Sequence, residues 1–576
     1  MSIIVEVVLL SGSKAIVEAR VDESIETLKN RAQTALEVGR GRLLDSSGRA
    51  LVGSSKIIDS SLRSGDCLSL HLSRVQIKAS FGAFAAILGD GSVVTWGKAE
   101  YGGDSSAVQD QLKNVQQVQA LFGTFAAVLG DGSAVTWGDA EDGGNSSAVQ
   151  DQLKNVQQIQ ASRGAFAVVL GDGSVVTWGK AGYGGDSSAV QDQLKNVQQI
   201  QAARCAFAAV LGDGSVVTWG HSAYGGDSGA VQDQLKNVQQ IQASSGAFAA
   251  ILGDGSAVTW GDAVNGGDSS AVQDQLKNVQ QIQASSGSFA AVLGDGSAVT
   301  WGDAEDGGDS SAVQDQLKNV QQIQASSGAF AAILGDGSVV TWGNAVNGGD
   351  SSAVQDQLKN VQQIQASSGS FAAVLGDGSA VTWGDAEDGG DSSAVQDQLK
   401  NVQQIQASSG AFAAILGDGS VVTWGNAEYG GDSSAVQDQL KNVQQIQASL
   451  GTSFGAFAAI LGDGSVVTWG KAEYGGDSSS VQVNMSLQPA SLKTFTCSNL
   501  QYAAYAHGSR GSPRHRAGSD RQVSKLANDR QLPAAPTAGC EPFEKYTFFA
   551  QLGRDVQEIG VGYPALFLSY WVKNSL

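Results

Sequence analysis

The chain is poor in proline and cysteine, and these shortages exclude strand interruptions over most of the chain and a disulfide framework. Only six of 576 residues are proline and none precedes Pro489, so no proline interrupts extended strands over most of the length. The four cysteines (Cys67, Cys205, Cys497 and Cys540) show no spacing typical of a metal site or a disulfide framework. We therefore expect a protein of a reducing compartment, without structural disulfides.

Long apolar runs are also missing. No stretch reaches the ~18 apolar residues that a membrane-spanning helix needs. The apolar start of the chain is interrupted by Glu6 and has no basic leader, so we interpret it as a buried strand and not as a signal peptide. These features predict an intracellular protein, cytoplasmic or nuclear, that does not contact membranes.

Positive charge is scarce in residues 75–488, which make up most of the chain. The formal net charge is −21, and residues 75–488 hold 15 Lys and Arg against 41 Asp and Glu. Such a surface repels phosphate backbones and attracts cationic ones. We expect protein partners with basic surfaces, and no nucleic acid on this part of the chain.

Glycine, by contrast, is abundant, with 75 residues, and much of it belongs to an internal repeat. Ten near-identical units of roughly 41 residues fill residues 75–482, with a four-residue insertion near 451–454 before the last. A fixed period of this size indicates one supersecondary unit stacked many times. The tryptophans that mark the ten units are Trp96, Trp137, Trp178, Trp219, Trp260, Trp301, Trp342, Trp383, Trp424 and Trp469.

The sequence pattern of each unit predicts three to four short antiparallel strands. In the fifth unit we place strands at 238–243, 247–252 and 257–260, the last two joined by an Asp-Gly turn at 253–256. Residues 271–276 fit either a short outer strand or a helical turn. Sheets this small must cover one another's faces, so the fold class is mostly β, a β-propeller-like array of ten units.

The number of units leaves the closure of this array open. Ten exceeds the usual four to eight blades of a ring. One seven-bladed ring with three further units, a larger ring and an open superhelix all fit the sequence. The array has no obvious split blade that would close a ring.

Residues 1–74 predict a separate small α+β domain. Alternating apolar residues indicate a hairpin from 3–10 and 15–21, and short strands at 42–44 and 67–72. Between them lies a helix with Asp22 at its N-cap. The helix residues Ile25, Leu28 and Ala32 share one face, which fits packing onto a sheet.

This order of elements, with Arg42-Leu43-Leu44 and Leu68-Ser69-Leu70, resembles ubiquitin and its β-grasp fold. The resemblance implies that Leu44 is the central residue of a recognition patch, although His71 stands where a further aliphatic patch residue is expected. No Gly-Gly tail follows, because Arg74 leads directly into the repeats. We therefore expect no conjugation by that route, and a β-grasp spacer remains an alternative.

The repeat, with an apolar strand, Asp-Gly-Ser, Val-x-Thr-Trp-Gly and then Gly-Gly, resembles the regulator-of-chromosome-condensation repeat. The Gly-His and Trp-Asp dipeptides of WD repeats are missing. Two departures are a phenylalanine (Phe84, Phe125, Phe166 and their equivalents) in place of the family's histidine, and Gly-Gly-Asp-Ser in place of Gly-Gln-Leu-Gly. Together with the first domain, this implies a HERC-like propeller without a HECT domain, since the roughly ninety residues of 483–576 are too few for one.

Candidate chemistry is sparse, and we predict no catalytic, cofactor-binding or metal-binding residue. The repeated aspartates lack the clustered spacing of calcium loops and fit turn formation. Glu141 and Asp142, and the equivalent pairs, fit solvated loops. Cys205 and His221 share a unit, but no third group completes a catalytic arrangement. We expect a protein that is not an enzyme.

The four residues after each Trp-Gly vary between units and are the better candidates for specificity. We expect five tyrosines in them to act as aromatic anchors on one rim, with neutral drift on a duplicated array as the alternative explanation of the variation. These anchors are Tyr101, Tyr183, Tyr224, Tyr429 and Tyr474.

The pairing of the two resemblances implies a non-catalytic scaffold or adaptor linked to ubiquitin signalling. A guanine-nucleotide exchange factor for a small GTPase and a structural, self-associating protein are the alternatives. Residues 483–576 remain unassigned, with a basic, turn-rich stretch from 510 to 530 that we expect to be disordered.

Overall fold

The computed structural model describes residues 2–10, 12–36, 38, 41–72, 74–449 and 454–481, all within one compact unit. The expectation of a partly disordered, unassigned tail at 483–576 lies outside the described residues, as does most of the insertion near 451–454.

The N-terminal residues form a four-stranded mixed sheet covered by one helix. The elements are β1 (Ser2–Val8), β2 (Lys14–Arg20), α1 (Ile25–Leu36), β3 (Arg42–Leu44) and β4 (Cys67–His71), with a short 3-10 turn at Ile57–Asp59. The sheet order is β2-β1-β4-β3, with β1 parallel to β4 and the other pairs antiparallel. Ile25, Leu28 and Ala32 are buried against this sheet, as predicted. The arrangement is the β-grasp class expected from the sequence.

The start of α1 differs from the prediction. Asp22 is not the N-cap, because its carboxylate binds the Arg20 guanidinium at 2.9 Å instead. Ser24 lies directly before the helix, and its hydroxyl oxygen accepts the Thr27 backbone N–H at 3.2 Å. This serine therefore supplies the acceptor that the first turn of the helix needs.

Ten three-stranded antiparallel sheets, one per repeat, follow this domain, and we number them as blades 1 to 10. The strands of blades 1 to 5 are Gln76–Ala79, Ala83–Ile87 and Val93–Gly97; Val115–Leu121, Thr124–Leu129 and Ala134–Gly138; Val156–Ala161, Ala165–Leu170 and Val175–Gly179; Val197–Ala202, Ala206–Leu211 and Val216–Gly220; Val238–Ala243, Ala247–Leu252 and Ala257–Gly261. Those of blades 6 to 10 are Val279–Ala284, Ser288–Leu293 and Ala298–Gly302; Val320–Ala325, Ala329–Leu334 and Val339–Gly343; Val361–Ala366, Ser370–Leu375 and Ala380–Gly384; Val402–Ala407, Ala411–Leu416 and Val421–Gly425; Val443–Ala448, Ala456–Leu461 and Val466–Gly470.

The strands predicted for the fifth unit are confirmed to within one residue. The segment at 271–276, left open between a strand and a helical turn, forms turns. In the equivalent segments of blades 2 and 9, these turns are 3-10 helices at Gln150–Gln152 and Ser434–Gln439. Within the residues that the structure describes, each blade therefore has three strands and no fourth.

Short helical turns also follow the third strand of every blade. They lie at Ala99–Tyr101, Ala140–Gly144, Ala181–Tyr183, Ser222–Tyr224, Ala263–Gly267, Ala304–Gly308, Ala345–Gly349, Ala386–Gly390, Ala427–Tyr429 and Ala472–Tyr474.

The blades pack face to face, and their cores lie between neighbours. Blade 5 presents a face of small residues, among them Ala247 and Ala249, to the large side chains of blade 6. On that second blade Phe289 and Trp301 are buried and stack, with ring centroids 5.3 Å apart. Alternating small and large faces allow the sheets to approach closely without voids. The phenylalanine that replaces the expected histidine is thus a core residue.

The first strands of successive blades contact one another around a common axis, and this series closes on itself. The first strand of blade 10 contacts the first strand of blade 1 in the same way. Ala456 and Ala458 of blade 10 pack against Phe84 and Trp96 of blade 1, which repeats the contact of every other pair. The array is therefore a closed ten-bladed ring, and no strand is shared between the ends of the chain.

Candidate interaction face

A hydrogen bond from each marker tryptophan fixes the loops of the neighbouring blade. Trp301 Nε1 donates to the carbonyl oxygen of Gly266 in the preceding blade at 3.0 Å. Gly266 has φ +89°, and a Cβ there would lie 2.6 Å from the Phe289 ring, so only glycine fits. At the closing contact Trp96 donates to Gly475 of blade 10, also at 3.0 Å. All ten loops are held alike.

The loops of the ring form two faces that differ in variability. The variable face carries the turn between the first and second strands and the loop after the third, which meet where Lys98 N donates to the Gly82 carbonyl. The constant face carries the Gly-Asp-Gly-Ser turns and the Lys-Asn turns between blades. All ten Gly-Asp-Gly-Ser turns and all nine Lys-Asn turns are identical.

Backbone geometry explains the uniformity of the constant face. Asp254 Oδ1 accepts both the Ser256 hydroxyl at 2.6 Å and the Ser256 N–H at 2.9 Å, and these bonds lower the pKa of that carboxyl. Asn278 has φ +54°, a left-handed conformation that asparagine tolerates, and the equivalent asparagines agree. The prediction that the repeated aspartates form turns is confirmed.

The variable face carries the loops that we expected to give specificity. In blade 5 the carboxylate of Asp262 accepts the Val264 N–H at 2.9 Å and holds the helical turn in place. Val264 itself is 62% exposed, as is Val346 at the same position in blade 7. The backbone of each loop is therefore fixed, while the side chain at its tip is free to differ.

The five predicted tyrosines all lie on the variable face, and all are half-buried. Tyr101 and Tyr474 lie side by side at the closing contact, with ring centroids 6.2 Å apart. Tyr183 and Tyr429 each pack against an inter-blade core, and Tyr224 contacts His221 edge to face at 5.0 Å. Their rings are thus partly used in packing, and whether they bind a partner stays a prediction.

Leu44 lies on the outer face of the N-terminal sheet and is half-buried. It pairs with Ser69 of β4, which in turn pairs with Val8 of β1, so a serine separates the two aliphatic residues of this row. Arg42, on the same face, packs against Gly91 in the constant face of blade 1. Lys29 reaches Asp90 of the same turn at 3.4 Å. The predicted patch is therefore next to the ring.

One set of residues on the variable face was not singled out by the sequence reasoning. The residue two positions before the second strand of each blade varies, and it lies at the inner edge of the ring. Neighbouring blades bond here through the backbone, as where Phe81 N donates to the Phe122 carbonyl at 2.8 Å. This position is Phe81, Phe122, Arg163, Arg204, Ser245, Ser286, Ser327, Ser368 and Ser409 in blades 1 to 9. Aligning the repeat units and comparing the residues at this one position would have shown the variation.

Charge on the variable face is uneven. The loops of blades 2, 6 and 8 carry three carboxylates each, and in blades 6 and 8 burial together with neighbouring carboxylates raises the pKa of Asp306 and Asp388. In blade 3, Lys180 forms an ion pair with Asp142 of blade 2, and its pKa is raised by that contact. The charge of Lys180 is therefore already balanced by a carboxylate of the neighbouring blade.

Cys205 and His221 are the remaining candidate residues. Burial raises the pKa of the Cys205 thiol to about 11, which disfavours the nucleophilic thiolate. His221 contacts this residue only through the backbone, its N–H donating to the Cys205 carbonyl at 2.9 Å. Within the described part of the chain, no group of three or more His, Cys, Asp or Glu is placed to hold a metal ion. Among those residues, no helix is long and apolar enough to cross a membrane.

Comparison with known proteins gives similarity to solved structures only. No family model and no curated protein matches the chain. Prp20p from Saccharomyces cerevisiae is similar at 14% identity and a TM-score of 0.30, over 66% of this chain and 91% of that one. Human WBSCR16 has 15% identity and a TM-score of 0.27, over 40% and 76%. The computationally designed Ika8 protein has 12% identity and a TM-score of 0.26, over 54% and 96%. The assignment as a repeat-built β-propeller rests on the sheets and contacts described above.

Proposed function

We propose that this protein is a non-catalytic scaffold for protein–protein interactions. The variable face of the ring would hold a client protein, and the N-terminal domain would contact a protein of the ubiquitin pathway through Leu44. The observation that carries this proposal is the difference between the two faces. The turns of the constant face are identical in all units, whereas the four residues after each Trp-Gly change in charge and size.

Neutral drift alone does not account for this difference between the faces. The Lys-Asn turns are as exposed as the variable loops, yet they are uniform. Their uniformity has a structural cause only at the asparagine, since the lysine side chains are largely exposed, as at Lys318 and Lys359. Variation confined to fixed loops on one face is typical of a surface that recognises other molecules.

The acidic loops of blades 2, 6 and 8 support a client with a basic surface. Asp303 and Glu305 of blade 6 and Asp385 and Glu387 of blade 8 repeat the same carboxylate pattern on the variable face. Complementary charge would speed association and orient the client, with an effect that weakens as salt rises.

The test is affinity capture with the full chain and two variants. In the first, every variable loop becomes the Asn-Ala-Val-Asn of blade 7 (344–347), a sequence without carboxylates that the fold already accepts. In the second, Leu44→Lys alters only the N-terminal domain. We expect the loop variant to lose the client and keep ubiquitin-pathway proteins, and the Leu44 variant to do the reverse. Retention of the same proteins by all three forms would contradict the proposal. Specific retention of a nucleotide-free GTPase, with stimulated exchange, would support the exchange-factor alternative instead.

A further inference from the structure

In blades 1 to 9, four inner-edge residues differ from serine, and they lie in consecutive blades and form one continuous surface. We call Phe81, Phe122, Arg163 and Arg204 the Phe-Arg arc. The rings of Phe81 and Phe122 meet edge to face, with centroids 3.9 Å apart. The Arg163 guanidinium lies over the Phe122 ring at 5.2 Å. Arg204 continues the series, because Arg163 N donates to its carbonyl at 2.8 Å.

The cations of this arc are available for a ligand. Arg204 is exposed and Arg163 is half-buried, and in the part of the chain that the structure describes neither guanidinium forms an ion pair. The nearest lysine of the same sector, Lys180, is already paired with Asp142. The two arginines are therefore distinct from the other cations of the variable face.

The backbone makes the arc rigid. Phe81 N donates to the Phe122 carbonyl and Arg163 N to the Arg204 carbonyl, and the same bonds continue through the serines of the other blades, as from Ser286 to Ser327 at 3.1 Å. A surface that is already ordered loses little conformational entropy when it binds. Phe and Arg at these positions are also compatible with the fold, since serine, arginine and phenylalanine occupy equivalent sites.

We propose that the Phe-Arg arc binds a short acidic segment of a partner protein, with an apolar side chain against Phe81 and Phe122 and carboxylates on Arg163 and Arg204. This rests on the proposed scaffold function and names a second surface on the variable face. The phenylalanine pair can contact an aromatic or aliphatic side chain of the partner segment. The two guanidinium groups beside it can bind a following Asp or Glu, because arginine binds carboxylates in bidentate geometry. Basic clients would contact the acidic loops elsewhere on the face.

The test is selection of a phage-displayed library of random peptides on the full chain. We expect enrichment of peptides with an apolar residue next to carboxylates, and binding weakened roughly tenfold or more by Arg163→Ser with Arg204→Ser, as lost charged hydrogen bonds predict. Serine is the residue of five other blades, so the variant should fold, and circular dichroism checks this. The matched control is Lys318→Ser with Lys359→Ser, which removes two charges from the constant face and should leave binding unchanged.

Four results would overturn this inference. Enriched peptides without carboxylates, or equal binding by the arginine variant and wild type, would show that the arc is not the site. No enrichment would do the same. If light scattering showed a wild-type dimer and a monomeric arginine variant, the arc would be an interface between copies of this chain. The capture experiment above decides the scaffold proposal separately, because clients lost only from the loop variant would support the scaffold even if the arc failed.

Discussion

At the scale of single residues, stability depends on groups that join one blade to the next. Trp260 is buried, stacks on Phe248 of its own blade and donates to Gly225 of the preceding one at 3.0 Å. A buried hydrogen bond of this kind contributes through the cost of leaving its acceptor without a partner. The sequence showed that this tryptophan recurs, but not that its partner lies in another repeat.

We expect Trp260→Phe to destabilise the ring by about 1–3 kcal/mol, because the ring stacking is kept while the donor to Gly225 is lost. Urea unfolding followed by circular dichroism measures the change. Tyr224→Phe, which removes a hydroxyl group from the neighbouring loop, is the control and should have little effect. An unchanged midpoint for the tryptophan variant would show that this bond does not hold the blades together.

The asparagines of the constant face give a second prediction. Asn278→Ala should cost about 1–2 kcal/mol, because alanine is strained at φ +54°. Asn278→Gly relieves this strain and should cost less, although it also loses the bond from Gln280 Nε2 to Asn278 Oδ1 at 3.1 Å. Equal stability of the alanine and glycine variants would contradict the role assigned to the left-handed conformation.

At the scale of elements, the Asp-Gly turn and the strands beside it were predictable from sequence because the signal is local. Alternating apolar residues and a Gly-containing turn specify a hairpin without reference to the rest of the chain. The predicted N-cap of the helix was wrong because two side chains within three residues, those of Asp22 and Ser24, could accept a hydrogen bond from the first helical turn. The Asp22 carboxylate binds the nearby Arg20 guanidinium instead. The inner-edge residues were not predicted because their signal is not local. Arg163 and Arg204 are 41 residues apart in the sequence and meet only in the ring.

The turn aspartates predict a pH dependence of stability. The bonds from Ser256 lower the pKa of Asp254 in the folded state, so its stabilising contribution is present above the unfolded value of about 4 and is lost as the pH falls through the folded value. The difference in urea midpoint between wild type and Asp254→Asn should therefore favour wild type at pH 6 and shrink below about pH 4. A difference that is constant from pH 6 to pH 3 would contradict the assignment.

At the scale of the whole molecule, closure of the ring is what the sequence left open. Blade count alone did not choose between a ring and a superhelix, because closure depends on the angle between neighbouring blades, which no single unit encodes. The contact between blades 10 and 1 resembles the contact between every other pair of neighbouring blades. Alanines of blade 10 pack against Phe84, and Trp96 donates a hydrogen bond to the Gly475 carbonyl. The acidic ring then presents one uniform and one variable face.

Closure predicts that the first tryptophan matters as much as an internal one. Trp96→Phe should destabilise the ring about as much as Trp260→Phe, because both lose an inter-blade donor bond of 3.0 Å. In an open array Trp96 would have no partner, and its replacement would have little effect. Unfolding of the two variants in parallel, with the same probe, compares them directly.

The most direct test of the account is a distance across the closing contact. Spin labels at Ser479 of blade 10 and Ser106 of blade 1, in a chain with its four cysteines replaced, report the separation of the end blades by pulsed electron resonance. Ser106 and Ser147 occupy equivalent exposed positions in blades 1 and 2 and give the reference for adjacent blades. A closed ring predicts that the two pairs give the same distance distribution. A clearly longer distance for the pair across the closing contact would show that the ten blades do not form a closed ring.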